Sequence, residues 1–208
     1  MSFRAPAMPP PERRAQLEES AVRVLLRRGL AATTKEIATE AGVAEGTIFR
    51  VFDTKDDLVH AALCRACDPE PLYARLETVE MALPLRERLI EAVTVIQQRR
   101  STVFDLLATV GMLAPPGDRP EGHPGRHGCG HGDQHDARRS WQGCVQDRLV
   151  AIIQPDADDL RVPVHELARL VRLLTFSGSH RQITGGELVE PATMVDALLD
   201  GTRKATSC

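Results

Sequence analysis

The strongest constraint on this chain is a pair of helix-start signals bracketing a tight turn. Thr33-Thr34-Lys35-Glu36 is a capping box: the Thr33 hydroxyl can take one free amide, and the Glu36 carboxylate can reach back to another. Thr54-Lys55-Asp56-Asp57 repeats the pattern with Asp in the fourth position. Between them Ile37, Ala38 and Ala41 fall at helical spacing and Gly42 supplies a stop. After only Val43-Ala44 a second short helix has room from Glu45 to about Phe52. Helices this short cannot stand alone in water, so something must cover them.

Residues 34–53 meet the packing requirements of a helix-turn-helix. Counting from Thr34, the fifth position needs a small residue where the helices pack closely, and Ala38 is there. The ninth must accept a left-handed conformation, and Gly42 is there. The fourth, fifteenth and eighteenth face the core between the helices and are Ile37, Ile48 and Val51. Residues 11–29 also read as an amphipathic helix that must cover something: Leu17, Ala21 and Leu25 form one stripe with Val22 and Leu26 beside it, and Gly29 ends the helix. A longer helix succeeds the second capping box through Leu58, Ala61, Ala62 and Leu63.

The rest of the chain is also helical in spacing. The pattern predicts helices near 72–83, 84–98, 101–113, 139–153, 163–180 and 191–204, with Pro84, Pro163 and Pro191 tolerated at or near a first turn. Residues 181–190 hold Gly185-Gly186 and read as a loop. Residues 114–138, rich in Pro and Gly with almost no apolar side chains, read as a long mobile loop. No stretch alternates as a strand would. The expected fold is therefore all-α. Residues 1–11 are a tail, 12–66 a three-helix domain carrying the helix-turn-helix, and 67–208 a larger helical domain.

Composition agrees with this and narrows it. Hydrophobic residues make up 42 %, enough for a core, while aromatics are only 3 %. The net charge of −3 excludes a uniformly basic nucleic-acid binder but not one that docks through a few local phosphate contacts. No window has the length of a membrane span or a signal peptide. Five cysteines show no disulfide framework, so a reduced cytoplasm is the expected compartment.

The segment GLAATTKEIATEAGVAEGTIFRVFDTKDDLVHAAL, residues 29–63, resembles the DNA-binding domain of the tetracycline-repressor (TetR) family. The resemblance covers the first third of the chain closely and the remainder in layout alone. It implies a homodimeric repressor on a palindromic double-stranded DNA operator, released when a small-molecule effector binds the larger domain. It further implies that Ala44, Glu45, Gly46, Thr47, Phe49 and Arg50 belong to a recognition helix in the major groove. Arg50 is the candidate for guanine, or else for a phosphate. Phe49 replaces the family's usual phosphate-bonding Tyr and offers only apolar contact, as to a thymine methyl. Thr33, Thr34 and Lys35 lie at a helix start that favours phosphate, and Lys55 matches the family's phosphate-contacting lysine. Ala44 replaces a common Ser, removing a cap. Glu45 brings a carboxylate to the DNA, where it either accepts from cytosine or repels the backbone. From residue 1 to 60, nine Lys/Arg balance nine Asp/Glu, so non-specific affinity is expected to be modest.

Other signals point less sharply. His123, His127, His131 and His135 recur every four residues with Cys129 among them, the donor types a zinc, nickel or copper sensor would use; a polar loop without metal is the plainer alternative. Cys64 and Cys67 form a CxxC without the βαβ context of a redox enzyme. His165-Glu166-Leu167-Ala168-Arg169 departs from the zinc-protease pattern HExxH at its last position. No catalytic constellation is assembled, so no enzyme activity and no cofactor are expected. Met81, Phe104, Leu107, Met112, Trp141 and Phe176 are candidates for an effector pocket, or else plain core. Val164, Leu167, Leu170, Val171, Leu174, Met194, Ala197 and Leu198 are candidates for a dimer interface on the last two long helices.

Overall fold

A computed structural model describes residues 8–112 and 134–202, with the backbone alone for 134–142. Among the described residues there is no strand. No described helix is long and apolar enough to cross a membrane. The chain divides into two compact units, one of residues 8–68 with 105–112, the other of 69–104 with 134–202.

The first unit begins with α1, Pro10–Arg28, whose proline sits at the first turn, where its missing N–H costs nothing. A single 3-10 turn, Gly29–Ala31, leads to α2, Thr34–Glu40. A 3-10 helix, Glu45–Arg50, and then α3, Lys55–Cys67, complete it. Both capping boxes form as the sequence predicts, at Thr33/Glu36 and at Thr54/Asp57. The apolar stripe of α1, Leu17, Ala21 and Leu25, is wholly buried against Ile37, Ile48, Leu58 and Ala62. Each fully buried Leu or Ile is worth about 1.5–3 kcal/mol, and that sum lets three short helices persist. Leu106 and Val110, from the end of α5, are buried in the same core.

The second unit contains α4, Glu70–Glu77, and most of α5, Leu85–Thr109. It continues with α6, Gln134–Ile153, and a 3-10 stretch, Gln154–Asp159. The remaining helices are α7, Val164–Gly178, the single turn α8, Arg181–Thr184, and α9, Pro191–Thr202. Its core gathers Leu72, Leu89, Ile96, Leu149, Ile153, Leu167, Val171 and Val195. Arg88 is buried within it, donating from Nη1 to Ile152 O at 2.8 Å and pairing through Nη2 with Asp156.

Several sequence expectations need correction. The helices expected at 84–98 and 101–113 are one helix, α5, because Arg99-Arg100 contains no breaker. The hydroxyls of Ser101 and Thr102 return to Gln98 O instead of capping a new start. The helix expected over 72–83 stops at Glu77. There Thr78 Oγ1 donates back to Arg75 O, and Glu80 accepts from the Ala82 amide in the next turn. α6 begins at Gln134, inside the expected loop 114–138, since 134–138 contains neither Gly nor Pro. Residues 114–133 of that loop lie outside the described residues. The expected loop 181–190 opens with a helical turn. Leu167, Val171 and Met194, assigned by periodicity to a dimer stripe, are in the core of their own unit, since each helix buries one face within the chain.

Candidate nucleic-acid interface

The turn between α2 and the 3-10 helix Glu45–Arg50 is closed by a Schellman motif. Gly42, at φ +67, donates to Thr39 O at 3.1 Å, and Val43 donates to Ala38 O at 2.9 Å. Gln16 of α1 adds a bond from Nε2 to Ala41 O at 3.0 Å, tying the end of α2 to its cover. Ala44 is extended and has no side-chain oxygen with which to cap the second helix of the motif. That second helix is a short 3-10 helix, anchored by the fully buried Ile48. Ala44, Glu45, Gly46, Phe49 and Arg50 are exposed around that anchor, and Thr47 is half-buried. Phe49 is 52 % exposed.

The basic residues of this unit fall into two sets. Arg23 and Arg27 both pair with Glu40, at 2.7 and 2.6 Å, and Arg28 pairs with Glu36 at 3.2 Å. Arg14 pairs with Glu18 at 2.9 Å and lies over the Phe52 ring, while Arg65 pairs with Glu19. The pairs with Glu40, Glu36 and Glu19 tie α1 to α2 and α3. Hydrogen bonds from Arg23, then Arg27, hold the Glu40 carboxyl below the usual range, and the Thr33 amide and hydroxyl do so for Glu36. Lys35 and Arg50 are exposed and make no ion pair or side-chain hydrogen bond among the described residues. Lys55 donates from Nζ to Leu30 O at 3.1 Å, which fixes the side chain and leaves two of its three protons.

The Thr33 amide donates to Glu36 Oε2 as the capping box requires, and the Thr33 hydroxyl donates to the same oxygen. One contact here was not anticipated from sequence. Thr34 Oγ1 donates to Glu45 Oε1 at 2.5 Å, across the turn. The helix-turn-helix register already put Thr34 and Glu45 at the starts of successive helices, and that was the available signal.

In the second unit the pocket candidates are only partly gathered. Phe104 meets Phe176 edge to face at 5.5 Å and stands 4.6 Å from the His180 ring. The Arg100 guanidinium lies 5.2 Å over Phe176. Burial, with help from Arg172, pulls the Arg100 pKa down to about 10. Met81 is exposed in the turn after α4, Leu107 is buried, and Met112 packs on the core of the first unit. The side chain of Trp141 lies outside the described residues.

Among the described residues no three His, Cys, Asp or Glu side chains gather to hold a metal. His123, His127, Cys129 and His131 lie outside them, as does the side chain of His135. Glu166 pairs with Arg169 at 2.8 Å, so the residue that breaks the HExxH pattern also occupies its carboxylate. Cys67 is half-buried at the end of α3, one turn from Cys64.

A turn of this register, a buried cover helix and an exposed second helix define a helix-turn-helix DNA-binding domain joined to a helical domain. The sequence profile of the bacterial regulatory proteins, tetR family, matches residues 18–62. Over those residues the chain is similar to that family's DNA-binding domain. Solved structures share the fold over nearly the whole length. A TetR transcriptional regulator from Streptomyces coelicolor is 22 % identical with TM-score 0.52, covering 93 % of this chain and 99 % of its own. A transcriptional regulator from Rhodococcus sp. is 20 % identical with TM-score 0.57, covering 91 % and 97 %. NalD of Pseudomonas aeruginosa, the secondary repressor of the MexAB-OprM multidrug efflux pump, is 14 % identical with TM-score 0.51, covering 94 % and 99 %.

Proposed function

We propose that this chain is a homodimeric transcriptional repressor that binds a palindromic operator and leaves it when a small molecule binds the second unit. The observation that carries the reading is the sorting of charge on the first unit. Arginines that face neighbouring helices are paired, whereas Arg50 and Lys35 stand exposed beside the 3-10 helix Glu45–Arg50. Arg50 then reads a guanine edge, Phe49 a thymine methyl, and Lys35 and Lys55 take phosphates.

Dimerisation is supported by α7, which leaves Leu173 exposed beside the half-buried Leu170. Two protomers related by a two-fold axis present their reading helices to successive major grooves, about 34 Å apart. A repressor relative of the same fold supports repression over activation. The aromatic pair Phe104–Phe176 beside Arg100 supports an effector site in the second unit. The effector releases DNA only if it prefers the dimer geometry in which the two heads no longer match one helical turn.

Selection of bound sequences from random duplex DNA by the purified protein tests the reading. A palindrome with half-sites about one turn apart supports it, and recovery of no motif overturns it.

A further inference from the structure

The 3-10 helix Glu45–Arg50 carries one acid, and a hydroxyl of the preceding helix bonds to it. Glu45 opens the 3-10 helix Glu45–Arg50 and is exposed. Its Oε1 accepts from Thr34 Oγ1, and no cation pairs with it among the described residues. If Glu45–Arg50 enters the major groove, this acid stands there with no cation beside it. One oxygen is committed and the other, Oε2, retains its acceptor capacity.

We propose that Glu45 is a specificity-determining residue that reads a cytosine, and that Thr34 is the positioning residue that holds its carboxylate for that contact. The proposal rests on the reading of Glu45–Arg50 as the recognition element. A carboxylate can only accept, and in the major groove only cytosine N4 and adenine N6 donate. Adenine sets its N7 acceptor beside that amine, opposing the lone pairs of a carboxylate, whereas cytosine has no acceptor of its own on this edge. An untethered Glu side chain sweeps past the phosphates and repels every sequence alike. Held by Thr34, the same charge favours one base and penalises the others, so a general cost becomes discrimination.

The experiment is selection from random duplexes, then titration of single-base operator variants, with wild type, Glu45→Gln, Thr34→Val and Thr34→Ser. Wild type is expected to require cytosine at one position per half-site, by roughly five- to tenfold over the other bases. Glu45→Gln should lose that requirement and move towards adenine, whose N6 and N7 suit an amide. Thr34→Val, which keeps the shape and removes the hydroxyl, should weaken the preference at that position alone. Thr34→Ser should restore it. A loss of affinity spread evenly over all positions in Thr34→Val would mark a merely structural role and overturn the proposal. So would an unchanged base profile in Glu45→Gln, or a uniform gain in its affinity for every sequence. A wild-type protein that selects no motif would fail the function reading itself, an outcome distinct from a palindrome indifferent to Glu45.

Discussion

A Cβ built on Gly29 would fall 2.6 Å from the carbonyl oxygen of Thr109, so the end of α1 and the end of α5 approach as closely as only a glycine permits. Gly29 also has φ +57 and ψ −147, a combination that L side chains rarely adopt. The substitution Gly29→Ala must move backbone as well as bear strain. It should cost about 2–4 kcal/mol, read from the midpoint of urea denaturation. Gly42→Ala is the control. Gly42 has φ +67 but nothing within 4 Å of a built Cβ, and should cost only about 1 kcal/mol. Equal losses in the two variants would refute the close approach.

Arg88 is 2 % exposed and binds both Ile152 O and Asp156. Arg88→Met keeps the bulk of the side chain but strands a partly buried carboxylate and a carbonyl. A loss of about 3 kcal/mol in chemical denaturation is expected. Asp156→Asn, which can still accept from Nη2, should lose less than half of that.

Acid should weaken the tie between α1 and α2. Glu40 titrates below its ordinary value of 4.5 because Arg23 and Arg27 bond its charged form. Its contribution is therefore complete above 4.5 and is lost as pH falls through the lower folded value. Stability measured against pH should show Glu40→Gln less stable than wild type at pH 7, with the two curves converging as pH falls below the folded value of Glu40. Curves that stay parallel would show that charge is not involved.

Arg50→Ala should reduce operator affinity by about 1–3 kcal/mol and relax selectivity at one base pair, with no change in oligomeric state. Lys35→Ala should weaken all sequences alike and lower the salt-dependence slope by about one. Fluorescence anisotropy at several salt concentrations separates the two effects. Reversed roles would move Arg50 from base to backbone.

Leu173 is 46 % exposed on α7. Leu173→Glu should leave the monomer fold intact and shift sedimentation from dimer to monomer, since a charge at the centre of an apolar interface costs several kcal/mol. An unchanged sedimentation coefficient would place the interface elsewhere.

What could be read from sequence was local. The two capping boxes and the turn at Gly42 depend on residues three or four apart, so the helix starts at Thr34 and Lys55 were legible. The continuity of α5 was not, because Arg100, at 6 % exposure, is buried by its surroundings and not by its own character. The 3-10 form of Glu45–Arg50 depends on which carbonyls its amides choose, which composition does not encode. Leu167 and Met194 were read as apolar helix positions correctly, but periodicity does not say whether a face meets its own chain or another copy. The tie from Lys55 to Leu30 O and the bond from Thr34 to Glu45 cross elements, and only the fold brings them together.

The presence of Leu106 and Val110 in the first core has a bearing on modularity. Expressing residues 1–68 alone would not excise a finished domain, because two of its buried plugs are encoded beyond that point. Grafting this reading head onto a relative would transplant a lock without all of its pins, unless the receiving protein's long helix supplied matching side chains. Changes in the long helix α5 therefore reach the core of the first unit as well as that of the second.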